Sequence, residues 1–278
     1  MQADSSQSPV VPNRPAPSGR QMASGTLQVF LAEALLLPTG LLTAAYVTRQ
    51  LGPDDYGLLL LTTTIVAWIG WSITSAFTRT TIKFVGETED WQSVATIVGQ
   101  LHLGLGSAAV AILWVVAEPV AIALGEPEMI GYLRLFALEI PLFCLTYAHR
   151  SVLVGLGRYR ERAISTAARW VGRMGLSVGL VWAGLSIWGA ILGSVVSALI
   201  ELLICRYYVH LPLLRRSSFP LQKLWGYAIP LFLLAISLRL YEKLDLLMLK
   251  LLGGTAADAG FYGTAQSLSL MPSLFTLA

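Results

Sequence analysis

Long apolar runs separated by short polar links make up most of the chain after its first 25 residues. An α-helix needs about 20 such residues to cross a hydrocarbon core of about 30 Å. The pattern therefore predicts seven membrane-spanning helices and the beginning of an eighth. Their predicted bounds are Leu27–Val47, Gly57–Thr78, Val94–Ala117, Ile130–Val154, Ile164–Gly184, Ile187–Val209, Tyr227–Leu252, and a segment that begins at Phe261 and runs to Ala278.

The composition supports a membrane protein. Of the 278 residues, 55% are hydrophobic and 13% are charged, whereas a soluble domain carries about 25% charged residues. The mean hydropathy is +0.66. We therefore expect an all-α fold, a polytopic membrane helical bundle. Residues 1–25 are rich in Pro, Ser and Gln, which predicts a disordered tail.

The basic residues predict the orientation. Cytoplasmic loops of membrane proteins are enriched in Lys and Arg. If the tail is cytoplasmic, three basic residues fall on the outer side, and these are Arg49, Arg134 and Lys250. Twelve fall on the inner side, namely Arg14, Arg20, Arg79, Lys83, Arg150, Arg158, Arg160, Arg162, Arg206, Arg215, Arg216 and Lys223. The sequence thus predicts a multi-pass protein of the inner (cytoplasmic) membrane with its N-terminus in the cytoplasm.

A polar turn occurs twice. Leu51–Gly57 contains Gly, Asp and then Tyr-Gly, and Leu252–Gly263 contains the same succession. Six predicted helices separate the two turns, which places them on the same side of the membrane and indicates parallel repeats. The predicted domain organisation is therefore a disordered cytoplasmic tail (1–25), a first six-helix lobe (26–209), a basic cytoplasmic interfacial linker (210–226) and the start of a second lobe (227–278). We expect the second lobe to continue beyond Ala278.

Two stretches resemble a known family. Arg49–Gly57, followed by an apolar helix that ends in Thr78–Phe84, is similar to the start of the polysaccharide biosynthesis/O-antigen flippase family. Asp245–Gly253 and Gly260–Ala265 resemble its seventh and eighth helices. That family belongs to the multidrug/oligosaccharidyl-lipid/polysaccharide exporter superfamily. The resemblance implies two bundles facing a central cavity, although most of the second bundle is missing here.

The function implied by the resemblance is the flipping of undecaprenyl-diphosphate-linked oligosaccharide for surface polysaccharide export. The implied partners are lipid-linked oligosaccharide, membrane lipids and polysaccharide polymerase machinery, without nucleic acid. The sequence contains no nucleophile–base constellation, phosphate-binding loop or metal-ligand cluster. We therefore expect no enzyme activity, no catalytic or metal-binding residue and no cofactor.

Three alternatives remain open at this stage. A cation-coupled drug exporter of the same superfamily would need a more acidic cavity. A membrane-embedded glycan assembly enzyme would need a large outer loop or a catalytic acid/His pair there. The outer links here are short, and the longest of them lies around Glu118–Met129. A truncated remnant would have no transport activity of its own.

The seventh predicted helix carries the densest group of charges. Arg239 lies near its midpoint, and Glu242, Lys243 and Asp245 follow. Arg239, Glu242 and Lys243 share one helix face. Charges inside a membrane are costly and face a bundle interior or a wet cavity. Arg239 and Lys243 are candidates for binding a substrate pyrophosphate or acidic sugar, with Glu242 and Asp245 as compensating or coupling groups. The alternative is a paired polar face that locks the helix to its neighbours.

The other candidates lie at helix ends. Arg79 and Lys83 are four residues apart at the inner end of the second helix. They would bind the diphosphate at the cytoplasmic mouth, because an Arg fork matches phosphate oxygens. The alternative is anchoring at the inner headgroups. Glu33 would either pair with a cavity arginine or titrate as a coupling carboxylate.

The fifth and sixth helices also carry charges. Arg169 and Arg173 are four residues apart, and Glu201 lies at a comparable depth on the next helix. These residues predict a structural ion pair between adjacent helices. Glu139 followed by Pro141 predicts a kink in the fourth helix.

Overall fold

The described part of the chain is helical and contains no strand. The computed structural model describes residues 19–213, 215 and 219–276. The helical side chains at 19–22, 221, 223, 227, 235–236, 238–243 and 267–276 lie outside this description. The helices are α1 Gly19–Ala34, α2 Leu36–Glu87, α3 Trp91–Ala123, α4 Met129–Ala137, α5 Glu139–Gly155, α6 Tyr159–Leu180, α7 Ser186–Tyr208, α8 Leu221–Leu251 and α9 Ala256–Thr276. A π-helical turn, Val181–Leu185, joins α6 to α7.

The longest helix, α2, folds back on itself at Gly52. Gly52 has φ 79° and ψ 175°, a conformation that glycine adopts without steric cost because it has no Cβ. Val47 and Tyr56, on either side of this glycine, belong to one buried cluster, against which Ala44 and Leu60 pack. The first arm (36–51) and the second arm (53–87) of α2 therefore lie side by side, as the predicted polar turn requires.

Helices α6 and α7 form a second antiparallel pair. The chain reverses where Gly184 has φ 89° and Ser186 has φ 49°. Across the pair, the Ser177 hydroxyl donates to the Ala190 carbonyl at 3.2 Å. A Cβ on Gly193 would lie 2.5 Å from the backbone nitrogen of Ser177. The missing side chain thus allows the two backbones to approach, and it brings the charged residues further along both helices face to face.

Helices α4 and α5 correspond to one predicted segment that breaks at Leu138. Pro141 has no N–H to donate to the carbonyl of Ala137. The Leu138 N–H donates to the Leu135 carbonyl at 3.2 Å, three residues back, which tightens the turn before the break. The break lies where Glu139 and Pro141 predict a kink, and it leaves Glu139 buried inside the bundle.

Asp90 caps the N-terminus of helix α3. Asp90 accepts a hydrogen bond from the Ser93 N–H at 3.2 Å and a second from the Ser93 hydroxyl. These two bonds lower the pKa of the Asp90 carboxyl from its ordinary value. Such a cap stabilises the first turn of a helix by satisfying a backbone donor that has no partner within the helix.

Helices α8 and α9 pack along α2. Near the start of α8, the Trp225 ring lies edge-on to Phe77 with 5.2 Å between ring centroids. At the other end, Leu246 of α8 and Ala259 of α9 belong to the same buried cluster as Leu61 of α2. The second arm of α2 therefore connects the first seven helices to the last two.

Glycines allow a close contact between α2 and α9. A Cβ on Gly57 would overlap the carbonyl oxygen of Ala256. A Cβ on Gly260 would lie 2.5 Å from the carbonyl oxygen of Pro53. We call the approach of these two backbones the glycine contact. It joins the two polar turns that the sequence analysis identified as similar.

An ion pair also links α8 to the chain between α3 and α4. The Lys250 ammonium lies 2.7 Å from a carboxylate oxygen of Glu126, and its side chain is 7% exposed. On the predicted orientation, both residues are on the outer side. The pair therefore holds the end of α8 against the first seven helices.

The fold class predicted from the sequence is confirmed. Most helices extend beyond their predicted ends: α1 already begins at Gly19, α2 runs to Glu87 rather than Thr78, and α9 begins at Ala256 rather than at Phe261. A reciprocal cap accounts for the early start of α9. The Thr255 N–H donates to Asp258 at 2.8 Å, and the Asp258 N–H donates to the Thr255 hydroxyl at 3.1 Å.

The described helices are suited to a bilayer. Four continuous helical stretches are long and apolar enough to cross a membrane, and these are Ala23–Glu87, Trp91–Ala123, Met129–Gly155 and Tyr159–Tyr208. The first and the last contain the reversals described above. Large apolar side chains face outward, with Val115 77% exposed and Trp182 81% exposed. Lipid would cover such faces, and the chain is a multi-pass membrane protein.

Candidate functional site

Alternating charges run through the interior of the first bundle, which we define as α1–α7. Burying an isolated charge costs free energy, so buried charges in proteins are usually paired with an opposite charge. Here carboxylates and guanidinium groups from four helices form one connected set, which we call the charge ladder. Its members are Glu33 on α1, Glu139 and Arg150 on α5, Arg162 and Arg169 on α6, and Glu201 on α7.

Glu201 is the centre of the charge ladder. Its side chain is 1% exposed, and its two carboxylate oxygens lie 3.6 Å from Arg150 and 3.2 Å from Arg169. Arg169 also lies 2.6 Å from Glu139. The ion pair predicted between the helices that carry Arg169 and Glu201 is therefore present. It extends to α5, which the prediction did not include.

Glu33 ends the ladder on its more accessible side. One of its oxygens accepts a hydrogen bond from Arg150 and lies 3.3 Å from Arg162. The Glu33 side chain is 38% exposed, whereas that of Arg150 is 6% exposed. Because three carboxylates meet three guanidinium groups, the ladder as a whole is electrically balanced. Glu33 is thus engaged in ion pairs in this structure.

Aromatic rings cover the arginines of the ladder. The Arg150 guanidinium lies 4.8 Å from the centroid of the Tyr147 ring. The Arg169 guanidinium lies 5.4 Å from the centroid of the Phe143 ring. A ring face attracts a cation and excludes water from it. The rings therefore stabilise the buried charges and fix the positions of the side chains.

Two adjoining cavities lie beside the ladder. Their volumes are about 180 and 90 Å³. The larger one lies between the two arms of α2 and α6, and the smaller one reaches the ladder at Glu139 and Arg169. We call the two together the bundle cavity. The residues that line both parts are Thr63, Phe136, Trp170 and Arg173.

The larger part of the bundle cavity has a mostly apolar lining whose polar groups include no acid. Several hydroxyl groups line it, from Thr39, Thr43, Tyr56, Thr63 and Ser177. Arg173 is the one charged residue in this lining, which contains no carboxylate. The indole N–H of Trp170 is buried and has no hydrogen-bond acceptor within the described structure.

Arg173 is the cation that the ladder leaves without a partner. It lies one helical turn beyond Arg169, on the same face of α6. Arg169 contacts both Glu139 and Glu201, and no carboxylate in the described part of the chain lies within 4 Å of the Arg173 guanidinium. Arg173 is also partly buried. A guanidinium in this position can bind an anion through charge-assisted hydrogen bonds.

The sequence did not distinguish Arg173 from Arg169. Both were expected to serve the same structural ion pair with Glu201. The distinction depends on Glu139, which lies 2.6 Å from Arg169. The available signal was the charge count, since the fifth and sixth predicted helices contain three arginines (Arg169, Arg173 and Arg206) and one glutamate between them.

Arg79 and Lys83 lie apart from the bundle cavity. Both are exposed near the end of α2. The Lys83 ammonium lies 5.9 Å from the centroid of the neighbouring Phe84 ring. The structure therefore places these two residues on an exposed surface near the end of α2 and does not bring them to Arg173.

The structure describes only one of the four charged side chains on α8 that the sequence analysis proposed for substrate binding or coupling. The side chains of Arg239, Glu242 and Lys243 lie outside the described residues. Asp245 is exposed, and it accepts hydrogen bonds from the Tyr262 hydroxyl and, at 3.4 Å, from the Gln266 amide. Asp245 thus joins α8 to α9 and has no contact with the charge ladder.

The histidines and cysteines of the described chain form no metal site. No group of three or more His, Cys, Asp or Glu residues that could hold a metal ion occurs in the described part. His102 is buried, with Nδ1 2.9 Å from the Val98 carbonyl oxygen and its ring edge-on to Phe77. Its environment is that of a packing residue.

Comparison with known proteins gives a family match. A family model described as "Polysaccharide biosynthesis protein" matches residues 23–278. The succinoglycan biosynthesis transport protein ExoT of Rhizobium meliloti (strain 1021) is 32% identical over 167 residues, which are 58% of this chain and 32% of that protein.

Solved structures share the fold at low sequence identity. An outward-facing multidrug resistance MATE family transporter of the MOP superfamily has a TM-score of 0.70 at 14% identity, covering 91% of this chain and 60% of its own. A MOP superfamily transporter from Pyrococcus furiosus Vc1 (DSM3638) has a TM-score of 0.65 at 15% identity, covering 78% of this chain and 53% of its own. The chain thus spans about a third of the curated relative and between half and two thirds of these structures.

Proposed function

Because the chain belongs to the polysaccharide biosynthesis protein family, we propose that it flips undecaprenyl-diphosphate-linked oligosaccharide across the cytoplasmic membrane for surface polysaccharide export. The relative from Rhizobium meliloti is a transport protein of succinoglycan biosynthesis, which supports a polysaccharide precursor as cargo. The substrate has an anionic diphosphate, a polar glycan and an apolar tail. The tail stays in the bilayer while the polar head crosses inside the protein.

The observation that carries this proposal is the positive charge in the lining of the bundle cavity. Its larger part has a guanidinium and several hydroxyl groups but no carboxylate in its lining. An anionic glycan precursor would be attracted by that lining through charge-assisted and neutral hydrogen bonds. An organic cation would find no acidic partner in that part, and the Glu139 carboxylate in the smaller part is already paired with Arg169 at 2.6 Å. The cavity therefore favours a polysaccharide precursor over a cationic drug as cargo.

Movement of the bundles against each other would open the site to either side. The glycine contact and the pair between Lys250 and Glu126 hold α8 and α9 against the first bundle at one end. On the predicted orientation that end is the outer one. Separation of these contacts would release the polar head to the outside.

The candidates from the sequence have places in this proposal. Arg79 and Lys83, exposed at the predicted inner surface, would attract the diphosphate before it enters. Arg239 and Lys243 on α8 would bind it during the crossing. Glu242, Asp245 and Glu33 are proposed as charge-compensating or coupling groups, and an ion gradient or the membrane potential would drive transport.

Reconstitution tests the proposal directly. The purified chain is placed in liposomes that contain a fluorescent undecaprenyl-diphosphate oligosaccharide, and a membrane-impermeant reductant is added outside. We expect the inner-leaflet label to become accessible with the protein and to stay protected in protein-free liposomes. A labelled phospholipid serves as the control for leakage and for unspecific scrambling. Accumulation of a fluorescent organic cation, without oligosaccharide flipping, would instead establish the drug exporter.

A test in cells addresses Arg239. We expect Arg239→Ala to abolish surface polysaccharide while the protein stays in the membrane at its normal level. Arg134→Ala is the matched control, because Arg134 is exposed and lies outside the bundle cavity. Normal polysaccharide in the Arg239 variant would exclude that residue as a cationic contact.

A further inference from the structure

The bundle cavity is too small to hold a whole precursor. Pockets that enclose drug-sized ligands have volumes of about 300–1,000 Å³, and the larger part here measures about 180 Å³. An oligosaccharide with its diphosphate cannot fit in this space at once. One sugar unit or one anionic group is the appropriate scale. The bundle cavity is therefore a subsite for part of the cargo.

The charge of the cavity lining indicates which anionic group of the precursor could bind there. Arg169 is neutralised by Glu139 and Glu201 at 2.6 and 3.2 Å, so it contributes no net charge. Arg173 remains as a single positive charge. A diphosphate has at least two negative charges, and it would need a second cation to avoid burying an unpaired one. A single carboxylate matches Arg173 alone, and a guanidinium binds it with two parallel hydrogen bonds.

The remaining lining suits a sugar ring. Phe136 and Trp170 present aromatic surface in both parts of the cavity. Thr39 and Thr43 donate their hydroxyl protons to carbonyl oxygens of their own helix, Thr43 at 2.7 Å, so their oxygens remain free to accept. A sugar supplies hydroxyl donors to these oxygens.

From these observations we propose that the bundle cavity is a subsite for one carboxylate-bearing sugar of the glycan, with Arg173 as its counter-ion. This inference rests on the proposed function and makes it more specific. The chain would select precursors whose glycan carries an acidic sugar, and the diphosphate would be bound elsewhere. Arg173 is a specificity-determining residue in this proposal.

A binding experiment on the purified chain tests the subsite. Trp170 lines both parts of the cavity, so tryptophan fluorescence reports on occupancy. The probes are glucuronate, glucose as its neutral counterpart and inorganic diphosphate. We expect glucuronate to bind at least tenfold more tightly than glucose. We expect Arg173→Gln to remove this preference and Arg173→Lys to keep part of it.

The control variant is Arg134→Gln, which removes an exposed arginine outside the cavity and is expected to keep the preference. Thermal unfolding of each variant shows whether it is folded. The proposal is overturned if glucose and glucuronate bind equally, or if Arg173→Gln leaves the preference intact in a folded protein. Tighter, Arg173-dependent binding of diphosphate would assign the cavity to the lipid head instead, and it would also overturn the proposal.

A transport experiment separates this inference from the proposed function. Liposomes receive two labelled precursors that differ only in whether one sugar carries a carboxylate. We expect the ratio of the flipping rates, acidic over neutral, to fall at least tenfold in Arg173→Gln. Flipping of both precursors at equal rates by the unaltered chain would overturn the subsite and leave the flippase intact. Flipping of neither precursor would overturn the proposed function.

Discussion

Glu201 holds two arginines in the interior of the first bundle. Arg150 and Arg169 lie on different helices, and each contacts one of its oxygens. The alternation of charge means that no member of the ladder can be removed without leaving another partly unpaired. A buried ion that loses its partner costs several kcal/mol. The stability of the bundle therefore depends on each member separately.

The variant Glu201→Gln tests this dependence. We expect it to lower the free energy of unfolding by about 3–5 kcal/mol, because two buried guanidinium groups lose a shared counter-ion. Glu161→Gln is the matched control, since Glu161 pairs at 2.9 Å with Arg158 near the surface, and it should cost about 1 kcal/mol or less. Unfolding in detergent, followed by far-UV circular dichroism, measures both. Equal losses for the two variants would show that the ladder is not a stabilising unit.

At the residue scale, the sequence predicts that charges will pair but does not determine which ones. The spacing of Arg169 and Glu201 places them at similar depth on adjacent helices, and they are in contact. The choice of Arg169 over Arg173 is made by Glu139, a residue from a third helix. Side-chain partners across three helices depend on packing distances, which periodicity along one chain does not contain.

At the scale of elements, two glycine turns organise the chain. Gly52 and Gly253 both have positive φ, at 79° and 102°, and each precedes a helix of the glycine contact. The early start of α9 follows from the cap between Thr255 and Asp258, a Thr-x-x-Asp pattern that is visible in the sequence. The parallel repeat remains a prediction. The contact between its two turns was not predicted, because it depends on how separate helices approach.

The variant Gly57→Ala tests the glycine contact. The new methyl group would overlap the Ala256 carbonyl, so we expect α9 to be displaced from α2. The reporter is a thiol-specific cross-link between Glu126→Cys and Lys250→Cys, whose native side chains lie 2.7 Å apart. Its yield should fall several-fold when Gly57→Ala is added.

The control for this experiment is Gly104→Ala. Gly104 lies on α3, and apart from its chain neighbours and the adjacent backbone of its own helix no described atom lies within 4 Å of a Cβ placed there. The cross-link should therefore form as in the unaltered background. An unchanged yield with Gly57→Ala would mean that the two helices do not need their close approach to keep this end together. The two natural cysteines, Cys144 and Cys205, are buried and free, so they add little background.

At the scale of the whole molecule, the length of the apolar segments and their low content of charged residues determine the class of fold. All-α architecture follows because a bilayer leaves no other partner for backbone polar groups in long apolar segments. The reversals at Gly52 and Gly184 divide two of the four long stretches, as the predicted boundaries between apolar runs require. The direction of the chain through the membrane rests on the distribution of arginine and lysine, a property of the sequence that the fold itself does not test.

Cysteine labelling tests that direction. Asp54 is exposed beside the first turn, and Arg215 is exposed in the basic linker. If the N-terminus is cytoplasmic, Asp54→Cys should react with a membrane-impermeant maleimide in intact cells, and Arg215→Cys should react only after the cells are permeabilised. This result follows because basic links are retained on the cytoplasmic side during insertion. The reverse labelling pattern would invert the orientation, place the glycine contact at the inner end, and require release of the cargo from the opposite side.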